Sequence, residues 1–456
     1  VAYSGGNGVT YSGLVSGDTL GGALSYSGTS QGAVNAGSYV ITPGGLSSNN
    51  YTISYANGAL TIGKAALTVT ANAASKTYDG VAYSGGNGVT YSGLVSGDTL
   101  GGALNYSGTS QGAVNAGTYV VTPGGLTSNN YTISYANGAL TIGKAALTVT
   151  ANAASKTYDG VAYSGGNGVT YSGLVSGDTL GGALNYSGTS QGAVNAGTYV
   201  ITPGGLSSNN YTISYANGAL TIGKAALTVT ANAASKTYDG VAYSGGNGVT
   251  YSGLVSGDTL GGALNYSGTS QGAVNAGTYV ITPGGLSSNN YTISYANGAL
   301  TIGKAALTVT ANAASKTYDG VAYSGGNGVT YSGLVSGDTL GGALSYSGTS
   351  QGAVNAGTYV ITPGGLSSNN YTISYANGAL TIGKAALTVT ANAASKTYDG
   401  VAYSGGNGVT YSGLVSGDTL GGALSYSGTS QGAVNAGTYV ITPGGLSSNN
   451  YTISYA

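Results

Sequence analysis

Leu140-Thr141-Ile142-Gly143-Lys144-Ala145-Ala146-Leu147-Thr148-Val149 holds two alternating runs that disagree in phase. Leu140 and Ile142 put apolar side chains at even positions, whereas Leu147 and Val149 put them at odd ones. Side chains along a strand point alternately to opposite faces, so one strand facing one core keeps its phase. The change across Gly143-Lys144 therefore predicts two strands, Ile142 ending one domain and Leu147 opening the next. No Pro/Ser-rich spacer separates them. The linker is then only a few residues, which restricts bending between domains.

Outward from this junction the chain repeats. Lys64-Ala65-Ala66-Leu67-Thr68-Val69-Thr70 recurs from Lys144, Lys224, Lys304 and Lys384, and Tyr78-Asp79-Gly80 recurs from Tyr158, Tyr238, Tyr318 and Tyr398. Both spacings are 80 residues, without insertion or deletion. A period this long reads as a string of small domains rather than a solenoid of short repeats. The expected domains are 64–143, 144–223, 224–303 and 304–383, with partial repeats at 1–63 and 384–456. Truncation within a repeat at both ends reads as a piece of a longer protein. Differences between copies are few and conservative: Ser25 against Asn105, Ile41 against Val121, Ser47 against Thr127. That pattern suits recent tandem duplication in a part whose job is length.

Glycine, at 87 of 456 residues, would fit disorder, but the apolar pattern argues for β structure. Leu67, Val69 and Ala71 alternate with Thr68 and Thr70, and Tyr131, Ile133 and Tyr135 alternate with Thr132 and Ser134. A period of two rich in β-branched and aromatic residues is a strand signal. Strands are predicted near 66–71, 76–79, 81–84, 88–94, 103–108 and 117–122. A hairpin from 131–135 to 139–142 is expected around Asn137-Gly138, the strongest short hairpin cue. Asp79-Gly80 reads as a second such turn, and Pro123-Gly124-Gly125 reads as a strand end. Ser96-Gly97-Asp98-Thr99-Leu100 has the residues of a helix start and predicts at most one or two helical turns. The fold class is mostly β: a tandem array of ~80-residue domains, sandwich or β-grasp-like, strung as a rod. At about 35 Å per domain the rod would span roughly 200 Å. A continuous β-helix is an alternative, but Tyr-Ser-Gly at 83, 91 and 106 shows no regular sub-period.

Composition excludes most chemistry. Cys, His, Met, Trp and Phe are absent, and the charged residues are 10 Lys and 11 Asp. Nucleophilic triads lack their histidine base, and structural zinc sites lack Cys and His. Each repeat offers a carboxylate pair of only Asp79 and Asp98, thin material for a glycosidase. An active site is also seldom stamped out along a whole array, so no catalytic, cofactor or metal residues are expected. A net charge of −1 without Arg gives no phosphate-binding surface and argues against nucleic acid. No apolar run approaches the ~20 residues of a membrane helix.

The individual polar residues read as structural. Asp79 suits turn formation, because one carboxylate is too few for calcium. Asp98 suits a helix cap or turn. Lys64 and Lys76 are the only cations of a repeat, and a covalent Lys–Asn link, known from some surface fibres, has no spacing signal here. Asn130-Tyr131-Thr132, recurring from Asn50 to Asn450, and Asn105-Tyr106-Ser107, shared by Asn185 and Asn265, match the N-glycosylation acceptor. Turn chemistry explains such triplets equally well. Tyrosine supplies every ring, and core packing is the expected role for most of them.

Taken together, Lys64–Thr70, Lys76-Thr77-Tyr78-Asp79-Gly80, Gly93-Leu94-Val95-Ser96-Gly97-Asp98, Ala116-Gly117-Thr118-Tyr119, Asn130-Tyr131 and Asn137-Gly138-Ala139-Leu140-Thr141-Ile142 resemble the MBG and YDG-type domains of bacterial surface proteins. The resemblance covers every repeat. It implies export, an extracellular or cell-surface location and an adhesion context, as in filamentous-haemagglutinin-like exoproteins. It brings no catalytic residues. Two functions follow as expectations. The first is a monomeric stalk that projects a distal adhesive region. The second is a repetitive module binding glycans or matrix proteins weakly, with avidity from many copies.

Overall fold

The computed structural model describes residues 1–456. They fall into two compact units, Val1–Lys224 and Ala225–Ala456, described separately below. The repeat at 64–143 contains seven strands: β1 Ala65–Ala71, β2 Ala74–Thr77, β3 Val89–Ser92, β4 Gly101–Ser107, β5 Gly117–Thr127, β6 Tyr131–Ala136 and β7 Gly138–Gly143. The same seven recur in 144–223, 224–303 and 304–383.

The strands make two sheets, both closed within one repeat. A three-stranded sheet runs β3-β1-β6 and a four-stranded sheet runs β2-β7-β5-β4. In the first, β1 lies antiparallel to β3 and parallel to β6, with Val69 opposite both Tyr91 and Tyr135. In the second, β7 lies parallel to β2 and antiparallel to β5. The alternation read from the sequence becomes the core. Leu67 and Val69 are fully buried and Ala71 nearly so, while Thr68 and Thr70 between them are half-buried on the other face. Val121, Leu140 and Ile142 of the four-stranded sheet join Ala71 in one buried cluster. The repeat is thus a two-sheet sandwich of seven strands with no helix.

Four local expectations change. First, Ser96–Leu100 forms a turn closed by Asp98 N–H donating to Val95 O at 3.0 Å. Gly97 sits at φ +93°, a left-handed conformation that a right-handed helix cannot contain. Second, β6 and β7 are not a hairpin. They follow each other directly in sequence but lie in different sheets, so Asn137-Gly138 carries the chain across the sandwich. Gly138 is needed for close approach, since a Cβ there would sit 2.4 Å from Ala71 O.

Third, β5 continues through Pro123 to Thr127, with Pro123 opposite Tyr106 in β4. The ladder with β7 ends at Val121, and Pro123 comes two residues later on the same edge. Its missing N–H therefore interrupts nothing. Fourth, 81–84 is not a strand. Gln111 fixes this loop instead, accepting from Gly85 N–H at 2.7 Å and donating to Gly85 O at 2.8 Å. Its amide also donates to Ser110, a fully buried hydroxyl, at 2.9 Å.

At the junction, β7 ends at Gly143 and the next strand is Ala145–Ala151, leaving Lys144 alone between them. Leu140, Ile142, Leu147 and Val149 are all buried, and all four belong to one cluster that runs across the junction. Residues 384–456 stop short of a strand equivalent to β7. There 394–397 form no strand, and Tyr398 is 66% exposed where Tyr78 is 6% exposed.

Candidate functional site: the joint between repeats

The polar groups that sequence reading assigned to turns converge where one repeat meets the next. Tyr78 follows β2, and its N–H donates to Gly143 O at 2.8 Å, extending the β2–β7 ladder by one bond. This holds the ring at the edge of its own repeat. Its hydroxyl then leaves that repeat and donates to Asp178 Oδ2 at 2.7 Å. The same oxygen accepts the Tyr211 hydroxyl at 2.6 Å. The Tyr211 oxygen in turn accepts Val175 N–H at 2.8 Å. The two rings meet edge to face, with centroids 5.3 Å apart and planes at 80°. That is a favoured aromatic geometry, since a positive ring edge meets a negative face.

Two further contacts complete the joint. Gly80, at φ +75°, leaves room for Val175, whose Cγ1 lies 2.8 Å from where a Cβ would stand. Asn210 Oδ1 accepts Ala116 N–H at 3.0 Å, and its Nδ2 donates to Asn115 Oδ1 at 3.0 Å. The unit Ala225–Ala456 repeats the arrangement twice. Tyr238 and Tyr371 share Asp338 at 2.7 and 2.5 Å, and Tyr318 and Tyr451 share Asp418 at 2.7 and 2.6 Å. Their rings stand 5.3 Å apart at 80° and 79°. Asn370 and Asn450 bridge to Asn275 and Asn355 as Asn210 does to Asn115.

Asp98 shows the joint with one ring missing. It accepts Tyr131 at 2.5 Å, but 1–63 contains no Tyr-Asp-Gly to supply the second hydroxyl. Val95 there is 62% exposed, whereas Val175, under Gly80, is half-buried and packs on the shared cluster. The Asn contact survives at this place, with Asn130 accepting from Ala36 N–H and donating to Asn35.

Charge and hydrogen bonding tune these groups in one direction. The bond to Asp338, and then burial, push the Tyr238 hydroxyl up to about 12, and Asp418 does the same to Tyr318. The Tyr371 and Tyr238 hydroxyls hold the Asp338 carboxyl below its ordinary range. Neutral phenol donating to ionised carboxylate is thus the preferred state at every ordinary pH.

The other candidates stay local. Asp79 bonds Lys76 at 2.6 Å and accepts Val81 N–H at 2.9 Å, closing a turn, but not the expected hairpin, since 81–84 is no strand and β2 pairs with β7 instead. Both bonds hold its carboxyl low, Lys76 first. Lys76 also donates to Val81 O, and Lys64 donates to Ser128 O at 3.1 Å. These ammonium groups meet a carboxylate and backbone carbonyls rather than the Asn carboxamide that a covalent link needs. Asn105 lies exposed on β4, whereas Asn130 is committed to the joint. No group of three or more acidic side chains gathers as a metal site, and no helix is long and apolar enough to cross a membrane. Sequence reading missed the joint because its partners lie 100 residues apart. The available signal was that Tyr78, Asp98 and Asn130 recur with the period while contributing nothing to strand alternation.

Comparison with known proteins gives one decisive match. The MBG domain (YGX type) matches residues 5–61, 67–141, 147–221, 227–301, 307–381 and 387–456. No curated protein matches. Among solved structures, Drosophila N-cadherin EC1-4 aligns over 70% of this chain and 99% of its own, at 10% identity and a TM-score of 0.18. Domains 4-9 of the surface layer protein SbsC align over 91% of this chain and 65% of their own, at 10% identity and a TM-score of 0.14. Likenesses this slight carry no argument. The six matches of one domain do: the chain belongs to the MBG domain family of the YGX type, as a tandem array.

Proposed function

We propose that this array is an extracellular spacer, the repetitive stalk of a bacterial surface or secreted adhesin. The observation that supports it most is the joint. Each described Tyr–Asp–Tyr joint has the same partners, hydroxyl bonds of 2.5–2.7 Å and the same ring geometry. A part that only spaces needs its repeats to be oriented alike, and needs nothing else from them. The linker of one residue, the short polar clamp and the shared apolar cluster all restrict movement between neighbours. The family membership supports an exported context, and the absence of Cys, His and Arg leaves little for catalysis or nucleic-acid binding.

The test is small-angle scattering of the whole chain, followed in the same sample by binding to panels of glycans and matrix proteins. A stiff, extended particle that binds nothing supports the spacer. Binding that tightens in chains with more repeats favours the avidity module and overturns it.

A further inference from the structure

The geometry points to a modification site at each joint: Tyr78 and Tyr211, Tyr238 and Tyr371, and Tyr318 and Tyr451 are paired for oxidative coupling into dityrosine, a covalent bond between neighbouring repeats. Three observations carry this, and none depends on the spacer reading. The chain contains 41 Tyr and no Cys, Met, Trp or His, so tyrosine is the one readily oxidised side chain. Oxidising equivalents that enter anywhere on the surface, for instance at the exposed Tyr171 or Tyr251, have only other tyrosines to move to. They settle where losing an electron is easiest, on a phenol whose proton already points at a base. Asp178 offers that base to two phenols at once, at 2.7 and 2.6 Å. Finally, the rings are 5.3 Å apart and buried together, so two radicals formed there meet each other before solvent or another chain.

The chemistry balances with a peroxide as co-reactant. Each phenol gives up one electron to the oxidant and its O–H proton to the carboxylate, which passes it to water. The two phenoxyl radicals join through a carbon–carbon bond ortho to each oxygen. The two ortho hydrogens then leave as protons while the phenol oxygens are reprotonated, so the net loss is two hydrogen atoms. The two electrons cleave the O–O bond of one peroxide. Ring planes at 80° must rotate toward each other for this bond, and the shared carboxylate keeps both oxygens in place while they do.

The experiment uses the full chain and peroxodisulfate with a photosensitiser and one brief flash. Dityrosine fluorescence is followed by cleavage after lysine and mass spectrometry. The expected product joins peptide 77–144 to the peptide sequence that 157–224 shares with 237–304, with two hydrogens lost, and fragmentation places the bond at Tyr78 and at the Tyr of Asn-Asn-Tyr-Thr, the position of Tyr211. Tyr78→Phe keeps the ring and should abolish this species, with circular dichroism confirming the fold. Asp178→Asn removes the base and should lower the yield about tenfold or more, as loss of a positioned proton acceptor does. Tyr131, whose Asp98 holds no second ring, should give no such product and serves as an internal control. The inference is overturned if the bonds form only between exposed tyrosines or between chains, if the product survives Tyr78→Phe, or if no dityrosine forms.

Discussion

The Tyr78 hydroxyl and the Asp178 carboxylate, 100 residues apart in the chain, meet at 2.7 Å across the joint between two repeats. Tyr78 is anchored in its own repeat by burial beside Leu140 and by its N–H bond to Gly143 O, and only its hydroxyl reaches the neighbour. Asp98, in the same position one repeat earlier, keeps its bond to Tyr131 without any partner from the preceding residues. Within a repeat the Asp98–Tyr131 bond is local, and at the joint the same kind of carboxylate takes a second hydroxyl from the neighbouring repeat, as Asp178 does from Tyr78. Orientation between repeats is then stored in a few polar groups over a continuous apolar cluster. The apolar part supplies adhesion without direction, and the hydrogen bonds supply direction.

That division predicts the effect of Asp338→Ala. Two buried phenols lose their acceptor at once, at a cost of about 1–3 kcal/mol for stranded polar groups. The loss should appear at the joint alone. Hydrogen exchange should speed up for the Val335 amide, which leans on the Tyr371 oxygen, while the β-ladder amides of both repeats keep their protection. Equal loss of protection throughout a repeat would show that joint and repeat are not separable.

The joint should also hold only within a pH window. The Asp338 carboxyl titrates below its ordinary value, so its contribution is complete above about pH 4 and is lost as pH falls through the lowered value. Tyr238 and Tyr318 titrate at about 12, so their contribution is complete below about pH 10 and is lost as pH rises toward 12. Stiffness measured by scattering should be flat between these limits and fall on both sides. A change near pH 6 or 7 would contradict the assignment, since no histidine is present to cause one.

Gly138→Ala should damage the repeat rather than the joint. Its added methyl would stand 2.4 Å from Ala71 O, which is backbone and cannot turn aside. The expected cost is about 2–3 kcal/mol or more, in the upper range for a single substitution, read as a lower thermal midpoint. The misread hairpin and this glycine have one cause. Alternation around Asn137-Gly138 gives the two strands and their faces correctly, because burial on one side is a local property of the pattern. It does not say which strand each one pairs with. Leu67, Val69, Leu140 and Ile142 were legible as core for that reason, and so was the phase change at Gly143-Lys144. The parallel pairing of Ala65 with Tyr131, and of Ala74 with Leu140, was not. Such pairs join residues about 65 apart and leave no short-range mark. Asp98 looked like a helix cap because its neighbours are turn formers, and only the docked neighbour reveals its second use.

The two glycosylation-like triplets should behave in opposite ways when altered. Asn105 lies exposed on β4, and Ser already stands in its place at 25, 345 and 425. Asn105→Ser should therefore leave the thermal midpoint within the scatter usual for surface changes, about 0.5 kcal/mol. Asn210→Ala removes the acceptor of the Ala116 amide and the donor to Asn115. It strands a part-buried N–H, and a loss of about 1–3 kcal/mol is expected. The deeper test is the pair Asn210→Ala with Asp178→Ala. Both act on the same contact between the same two repeats, so once one has let the joint open, the other has less left to remove. Their combined effect should fall short of the sum of the two by about 0.5 kcal/mol or more. Simple additivity would mean that the asparagine bridge and the tyrosine–aspartate clamp hold independently, and that docking is not one cooperative event.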